Sequence, residues 1–167
     1  MEKLKGMAWK FGDGISTDHI APGRLFHLRS NLPELAKHVL EDARTDFAPN
    51  VKKGDFVVGG KNFGQGSSRE HAPTIIKLAG VSAVIAKSFA RIFFRNCINV
   101  GLPAIILDTD KIDEGDEIEL DLLGGKLVNL TKKETYTFPP LPKAMANIMK
   151  DGGLVEHIKK HGDLKLD

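Results

Sequence analysis

The sequence predicts an α/β domain: a mixed sheet with flanking helices, plus a small antiparallel β unit late in the chain. Two patterns carry this prediction. In the first, three short apolar runs alternate with two helical patterns, in the order strand, helix, strand, helix, strand: 56–59, 74–79, 83–86, 89–96 and 103–107. This order is typical of parallel βαβ units in one sheet.

The second pattern is a hairpin signal. Residues 116–122 alternate strictly between apolar and polar side chains, Gly124 and Gly125 mark a turn, and residues 126–130 return. Two alternating runs joined by a glycine turn predict an antiparallel pair. The small antiparallel unit therefore follows the βαβ part of the chain.

We also expect a strand at 7–11, a connecting loop at 24–32 and three helices at 33–42, 143–150 and 154–161. The first of these helices opens with Pro33, which suits the first turn of a helix. Leu35, Val39 and Leu40 then fall on one helical face. We expect that face to be buried.

Composition limits the classes of function. At 167 residues the chain is long enough to bury a sizeable core, and we expect a single domain spanning residues 1–167. A 41% hydrophobic fraction, a 28% charged fraction and a net charge of +2 are ordinary globular values. They give no case for a nucleic-acid or membrane partner.

Cysteine usage and the N-terminus narrow the setting. Cys97 is the only cysteine, so the chain alone can form neither an internal disulfide nor a cysteine-based metal cluster. No long apolar signal segment opens the sequence, and no run approaches the roughly 20 apolar residues of a membrane span. We therefore expect a cytoplasmic protein.

Residues 60–73 form the stretch that is densest in chemistry. Glycines surround two adjacent hydroxyls, Ser67 and Ser68, and Arg69 follows with a Glu-His pair directly behind it. The stretch lies between a predicted strand and a predicted helix. Glycine allows close backbone approach there, and a helix N-terminus offers free N–H donors and a positive dipole end to a carboxylate or phosphate.

Two interpretations of this turn remain open from the residues. A serine before a helix can be only an N-cap, with the arginine on a solvated face. Alternatively, a serine of this pair can act as a base, which requires its alkoxide and hence a positive environment such as an arginine and oriented amides. The surrounding glycines and the Glu-His pair favour the second interpretation.

A second polar loop carries Asp18 and His19. By itself it is typical of an ordinary Asx or ST turn; its functional interpretation is an Asp and His at a pocket rim that orient a partner side chain. Arg24 and Arg29 lie just beyond, where a guanidinium can hold a substrate carboxylate through two hydrogen bonds.

Other reactive side chains are given structural interpretations. Arg91 and Arg95 are one helical turn apart among aromatics, and we expect them to border a packed face and pair with carbonyls or acids. Cys97 lies in an apolar context that favours a buried small hydrophobe over a nucleophile. Four histidines show no ligand spacing: His27, His38, His157 and His161.

Three blocks resemble one known family. The sequences at 15–20, 64–72 and 86–92 look like the swivelling domain of the aconitase superfamily, in the family's order and across nearly the whole chain. At this length the resemblance is to the separate small subunit of two-subunit members: 3-isopropylmalate dehydratase, homoaconitase and 2,3-dimethylmalate dehydratase. The resemblance implies a swivelling β/β/α-type domain.

This resemblance also implies a chemistry. Such enzymes are hydro-lyases that remove and re-add water across a hydroxy di- or tricarboxylate. A [4Fe-4S] cluster, held by three cysteines of the large subunit, binds substrate as a Lewis acid. By the family's motif, Ser67 would be the alkoxide base, and Ser68 and Arg69 would hold a carboxylate. Asp18 would match the catalytic Asp of the family's Thr-Asp-His block, with His19 beside it in a supporting catalytic role.

The segment 27–30 bears on the substrate. It is similar to the Tyr-Leu-Arg-Thr loop of homoaconitase-type small subunits, which places Arg29 at a second carboxylate-binding position; isopropylmalate-type loops tend to have an apolar residue there. An arginine suits a third carboxylate, whereas an apolar side chain suits an isopropyl group. His27 in place of Tyr, a longer loop and Gln65 depart from the family's pattern and leave the substrate open.

Two rival functions belong to other classes. The first is a stand-alone regulatory module that binds a small anion at residues 66–69 without catalysis. The second is an autonomous serine hydrolase, which the sequence disfavours because the turn is Gly-Gln-Gly-Ser-Ser rather than Gly-x-Ser-x-Gly.

Overall fold

One mixed sheet of seven strands organises the protein in the computed structural model, which describes residues 3–162. In chain order the strands are β1 Leu4–Lys10, β2 Phe56–Val58, β3 Ala83–Ala86, β4 Ala104–Ile106, β5 Glu117–Asp121, β6 Lys126–Asn129 and β7 Glu134–Thr137. Their spatial order is β4-β3-β2-β1-β5-β6-β7. β1 to β4 are parallel, and β5 to β7 add an antiparallel half.

In chain order, five helices fall between the parallel strands and two follow the last strand of the sheet within residues 3–162. They are α1 Thr17–Ile20, α2 Leu32–Ala36, α3 Phe47–Asn50, α4 His71–Leu78, α5 Arg91–Val100, α6 Lys143–Lys150 and α7 Leu154–His161. Two 3-10 segments occupy Gly23–Ser30 and Thr109–Lys111. Within residues 3–162, no helix combines the length and the apolar composition needed to cross a membrane.

Two hydrophobic clusters lie on opposite faces of the parallel strands. Val57 and Val84 point into a cluster with the helices α2, α4 and α5, whereas Phe56 and Ile85 point into a cluster with the antiparallel strands. The alternation follows from the two-residue period of a strand. β2 and β3 are therefore buried on both faces, as continuous apolar runs require. The predicted mixed sheet with flanking helices and an antiparallel part is confirmed.

The structure corrects the expected helix at 33–42. Leu35, Val39 and Leu40 are all buried, as their spacing predicts, but α2 ends at Ala36. Leu40 has a left-handed φ of 58°, and its amide donates to the Ile20 carbonyl at 3.0 Å rather than continuing a helix. The buried positions were right, and the helix was right as far as Ala36 but wrong from residue 37 onward.

Two further expectations change. The segment expected as a loop at 24–32 is largely 3-10 helix, because Leu25 and Leu28 pack against the helical-side core. The strand β7 was not expected, since Glu134–Thr137 is mostly exposed and lacks an apolar alternation. It is held by pairing with β6. The expected strand at 7–11 begins earlier, at Leu4.

Candidate functional site

Three loops meet at the carboxyl ends of β1, β2 and β3, where ligands commonly bind in parallel α/β sheets. They are residues 11–16, 59–70 and 87–90. Backbone hydrogen bonds fasten them together: Gly64 N to Ile15 O at 2.7 Å, Thr17 N to Gln65 O at 2.8 Å, Phe63 N to Ser88 O at 3.0 Å and Ala90 N to Phe63 O at 2.9 Å. The serine turn is thus held from both sides.

Close packing around the serine turn requires glycine. Gly64 has a φ of 86° and Gly66 a φ of 101°, both in the left-handed region that glycine tolerates. A Cβ at Gly64 would lie 2.1 Å from Cγ of Phe93 on α5. On the other side, the buried Thr17 hydroxyl donates to the Ser67 carbonyl at 2.7 Å. The backbone of the turn is therefore fixed.

The two serine side chains are exposed. Within residues 3–162, neither hydroxyl has a hydrogen-bond partner. α4 begins at His71, so the positive end of its dipole lies beside the turn. The interpretation of the serines as an N-cap is not realised, because Glu70 occupies the N-cap position and no side chain caps it. The hydroxyls are available to a ligand.

Arg69 is oriented from two sides. Its Nη2 lies 2.5 Å from Oδ1 of Asp18, and its Nη1 donates to the Ala21 carbonyl at 2.7 Å. The Arg69 side chain is only 17% exposed, whereas that of Asp18 is 63% exposed. A guanidinium has five N–H donors, so two such contacts leave others for a ligand carboxylate. The structure thus brings Asp18 and Arg69 together, and the Asp18 carboxylate orients the Arg69 guanidinium.

His19 has a local partner. Its Nδ1 lies 2.9 Å from the Ser16 amide and 3.0 Å from Ser16 Oγ, while its own amide donates to Ser16 Oγ at 3.1 Å. These contacts form a reciprocal capping box at the start of α1. Since the Ser16 N–H donates to Nδ1, that nitrogen is an acceptor. His19 therefore shapes the loop that carries Asp18.

An aromatic ring connects two of the arginines. The Arg29 guanidinium carbon lies 4.2 Å from the ring centroid of Phe26, and that of Arg69 lies 5.9 Å from the same centroid. Burial, with Arg69 and Arg29 as further causes, lowers the pKa of His71 from its usual 6.5. The imidazole is then neutral at pH 7, and the two guanidiniums supply the positive charge.

Arg24 lies apart from this group. Its Nη2 contacts Glu41 Oε1 at 2.5 Å and Asp42 Oδ1 at 2.8 Å, and these side-chain hydrogen bonds raise the pKa of Arg24. The guanidinium is occupied by two carboxylates. A substrate-binding role for Arg24 therefore stays a prediction, and Arg29 has the better placement.

A cavity of about 180 Å³ adjoins the serine turn. Its walls come from the turn and from α5: Thr17, Gly64, Gly66, Ser67, Ser68, Arg69, Ala90, Arg91, Ile92, Phe93 and Asn96. This volume is below the roughly 300–1,000 Å³ of pockets that enclose a drug-sized ligand. The cavity is therefore too small to enclose such a ligand by itself.

Arg91 corrects the structural interpretation given to it from sequence. Its side chain is exposed and lines the cavity, and no ion pair involves it within residues 3–162. Phe26, Thr17 and Asn96 were also not singled out from sequence. Thr17 lies in the 15–20 block but was given no role there, whereas the positions of Phe26 and Asn96 depend on contacts between distant segments that no local motif signals.

Cys97 does not offer a metal ligand. It is fully buried on α5, and burial raises the pKa of its thiol. Because the thiolate is the form that binds metal, this environment disfavours it. The chain's own residues do not fit an iron–sulfur cluster, and the interpretation of Cys97 as a buried small hydrophobe is confirmed.

Comparisons with known proteins identify the family of the chain. The Aconitase C-terminal domain family matches residues 29–109. The chain is 65% identical over 164 residues to 3-isopropylmalate dehydratase small subunit 2 of Archaeoglobus fulgidus. That alignment covers 98% of this chain and 99% of the relative. It is 64% identical over 160 residues to small subunit 1 of Thermotoga maritima, covering 95% and 96%.

A solved structure of a 3-isopropylmalate dehydratase also matches the chain. The crystal structure of 3-isopropylmalate dehydratase from Methanocaldococcus jannaschii matches with a TM-score of 0.91 and 45% identity, over 96% of each chain. The predicted fold class is therefore confirmed by a full-length match. The chain belongs to the family of 3-isopropylmalate dehydratase small subunits, within the aconitase superfamily.

Proposed function

We propose that this chain is the small subunit of a two-subunit hydro-lyase, and that it supplies a serine base and a carboxylate clamp to a hydroxy-polycarboxylate. The observation that carries the proposal is the fixed turn that presents, beside an oriented guanidinium, two hydroxyls without a hydrogen-bond partner among residues 3–162. The membership of the family supports the reaction class.

In this proposal Ser67 removes a proton from a substrate carbon while the hydroxyl group leaves from the neighbouring carbon. The product is a cis-unsaturated acid, and addition of water in the opposite sense gives the isomer. Arg69 and the positive end of α4 favour the alkoxide form of Ser67, since positive charge stabilises an anion. Ser68 and Arg69 hold a carboxylate, and Asp18 with His19 positions Arg69.

A large subunit completes the site. The small cavity and the exposed serines support a partner surface that closes over them. Since Cys97 is buried and is the only cysteine in the chain, we place the [4Fe-4S] cluster on that partner. The small subunit alone is expected to be inactive.

The substrate class follows from Arg29 and from the relatives. The similar proteins are named for 3-isopropylmalate, so a branched dicarboxylate is the first candidate. Arg29 favours a second candidate, a tricarboxylate of the homocitrate type, because an exposed guanidinium on Phe26 can hold a third carboxylate.

Reconstitution tests the proposal against the regulatory-module alternative. The purified chain is mixed with a cluster-loaded large subunit, and each protein alone serves as the control. We expect hydration and dehydration only in the mixture, assayed with 2-isopropylmalate, homocitrate, citrate and 2,3-dimethylmalate. Anion binding by the chain without turnover in any mixture would favour the regulatory module.

A further inference from the structure

A second cluster of potential ligands lies at the turn between α6 and α7, outside the serine site. Oδ2 of Asp151 lies 2.8 Å from Nδ1 of His157 and 2.9 Å from Nε2 of His161. The three ligand atoms all lie within 4.8 Å of one another. Two histidines four residues apart on one helix face are an arrangement that binds zinc in other proteins. His157 and His161 show no ligand spacing that the sequence alone makes convincing, and the fold adds Asp151 to them.

The cluster is built into the fold. The side chain of His157 is fully buried, that of Asp151 is 6% exposed and that of His161 is 28% exposed. Lys160 Nζ contacts the other carboxylate oxygen, Oδ1 of Asp151, at 3.1 Å. Both imidazoles therefore contact Oδ2 of Asp151, while Lys160 contacts the other oxygen, Oδ1.

Two of the ligand-to-ligand distances are near those around a tetrahedral ion. With ligands about 2.0–2.1 Å from zinc, adjacent ligand atoms in a tetrahedron lie about 3.3 Å apart. The observed contacts of 2.8 and 2.9 Å are roughly half an ångström shorter. An ion would move Asp151 Oδ2 outward from both imidazoles by about that amount, and the partly exposed side chain of His161 turns the fourth ligand position towards solvent.

We propose that Asp151, His157 and His161 form a site for one divalent transition-metal ion of the zinc class, with the fourth position open to solvent. Two imidazole nitrogens and one carboxylate oxygen are a ligand set that zinc uses. No established feature of the serine site requires this ion. It would fasten α7 to the turn that precedes it.

This turn is pressed against α5. A Cβ at Gly101, which follows α5, would lie 2.7 Å from the Gly152 backbone, and Lys77 Nζ donates to the Gly152 carbonyl at 3.1 Å. Because α5 also lines the cavity beside the serines, the ion would stabilise the support of the site without contacting substrate. The expected role is structural.

Metal binding by the untagged, chelator-treated full chain tests the proposal. Calorimetric titration with zinc chloride is expected to give one site per chain, and the melting temperature should rise on saturation because the ion binds the folded state. Cobalt(II) should give visible absorption bands of tetrahedral intensity. The proposal would be overturned if the titration showed no zinc site with a stoichiometry of one ion per chain.

Variants connect binding to these residues. His161→Ala removes the most exposed ligand and should weaken zinc binding at least tenfold, with the circular-dichroism spectrum unchanged. Asp151→Asn should do the same. Lys160→Ala is the matched control: it removes a neighbouring charge but no ligand, so the affinity should stay within about threefold or increase. Equal zinc affinity in the parent and His161→Ala would show that Asp151, His157 and His161 are ordinary hydrogen-bond partners.

Discussion

At the scale of single residues, Ser67 gives the sharpest test of the chemistry. Its backbone is held by the Thr17 hydroxyl, while its own hydroxyl has no hydrogen-bond partner in the described part of the chain. Ser67→Ala should leave the fold and the association with the large subunit intact. Since general-base catalysis contributes typically about 10²–10⁴-fold, kcat of the reconstituted enzyme should fall by at least about a hundredfold.

Ser68→Ala is the matched control for Ser67. It removes a hydroxyl from the same turn, but one assigned to carboxylate binding, so KM should rise more than kcat falls. Near-normal turnover in Ser67→Ala would remove that side chain from the base role. Equal kinetics in the two variants would show that the hydroxyls are not differentiated.

Arg29 and Arg24 allow a matched test of substrate choice, because both are exposed arginines in the same 3-10 segment. Arg29→Val removes the charge stacked on Phe26 and should shift preference from tricarboxylates towards branched dicarboxylates. The expected change in the ratio of kcat/KM values is about 10–200-fold. Arg24→Val, whose charge is paired with Glu41 and Asp42, should change that ratio less.

The opposite ranking of these variants would assign the substrate carboxylate to Arg24. An unchanged ratio in both would mean that this segment does not select the substrate. Parallel measurements with 2-isopropylmalate and homocitrate on the reconstituted enzyme decide between these outcomes.

The candidate residues could be found from sequence only where the chemistry is local. Ser67, Ser68 and Arg69 are consecutive, and the glycines that precede them indicate a tight turn. The pairing of Asp18 with Arg69 crosses 51 positions of chain, so it follows from the sheet and not from any motif. Phe26 was missed for the same reason.

At the scale of elements, Gly64 shows why the turn and α5 must be considered together. An added Cβ would meet Cγ of Phe93 at 2.1 Å, on a backbone with φ of 86°. Gly64→Ala should therefore destabilise the protein by about 1–3 kcal/mol or more from overpacking alone. It should also lower activity by displacing the serines.

Gly115→Ala separates the two causes. Gly115 has a similar φ of 82°, but a Cβ there would meet nothing within 4 Å. Its loss of stability should reflect backbone strain alone and should be smaller than that of Gly64→Ala. Urea unfolding of both variants gives the comparison; equal losses would show that Phe93 moves aside without cost.

Element existence was predictable where apolar periodicity was strong, and boundaries were not. α6 and α7 begin and end as expected because proline and glycine punctuate them. The expected helix at 33–42 shows the limit of periodicity, since residues can be buried with helical spacing in a chain of turns. The left-handed Leu40 is stabilised by a bond to distant Ile20, which no local pattern contains.

At the scale of the whole molecule, β1 joins the two halves of the sheet. Its Ala8–Lys10 part pairs in parallel with β2, and its Leu4–Met7 part pairs antiparallel with β5. The loops of the serine site leave the parallel half, while the antiparallel half covers the opposite face. Damage to β1 should therefore affect both halves at once.

Gly6 is the position at which this junction can be tested. A Cβ there would lie 2.1 Å from the Gly54 carbonyl oxygen, a backbone atom that cannot rotate away. Gly6→Ala should lose about 1–3 kcal/mol of stability or more. Gly12→Ala is the matched control, since a Cβ at Gly12 would meet nothing within 4 Å, and it should change stability little.

Two probes measure whether the halves unfold together. Trp9, the only tryptophan, lies on β1 and donates to Asp55 at 2.9 Å, so its fluorescence reports on the junction, whereas far-ultraviolet circular dichroism reports on the helices. In urea, the two transitions should coincide for the parent and for Gly6→Ala, with the midpoint of the variant lowered in both. A fluorescence transition that precedes the dichroism transition in Gly6→Ala would mean that the helical layer survives without the junction, and that β1 does not couple the halves.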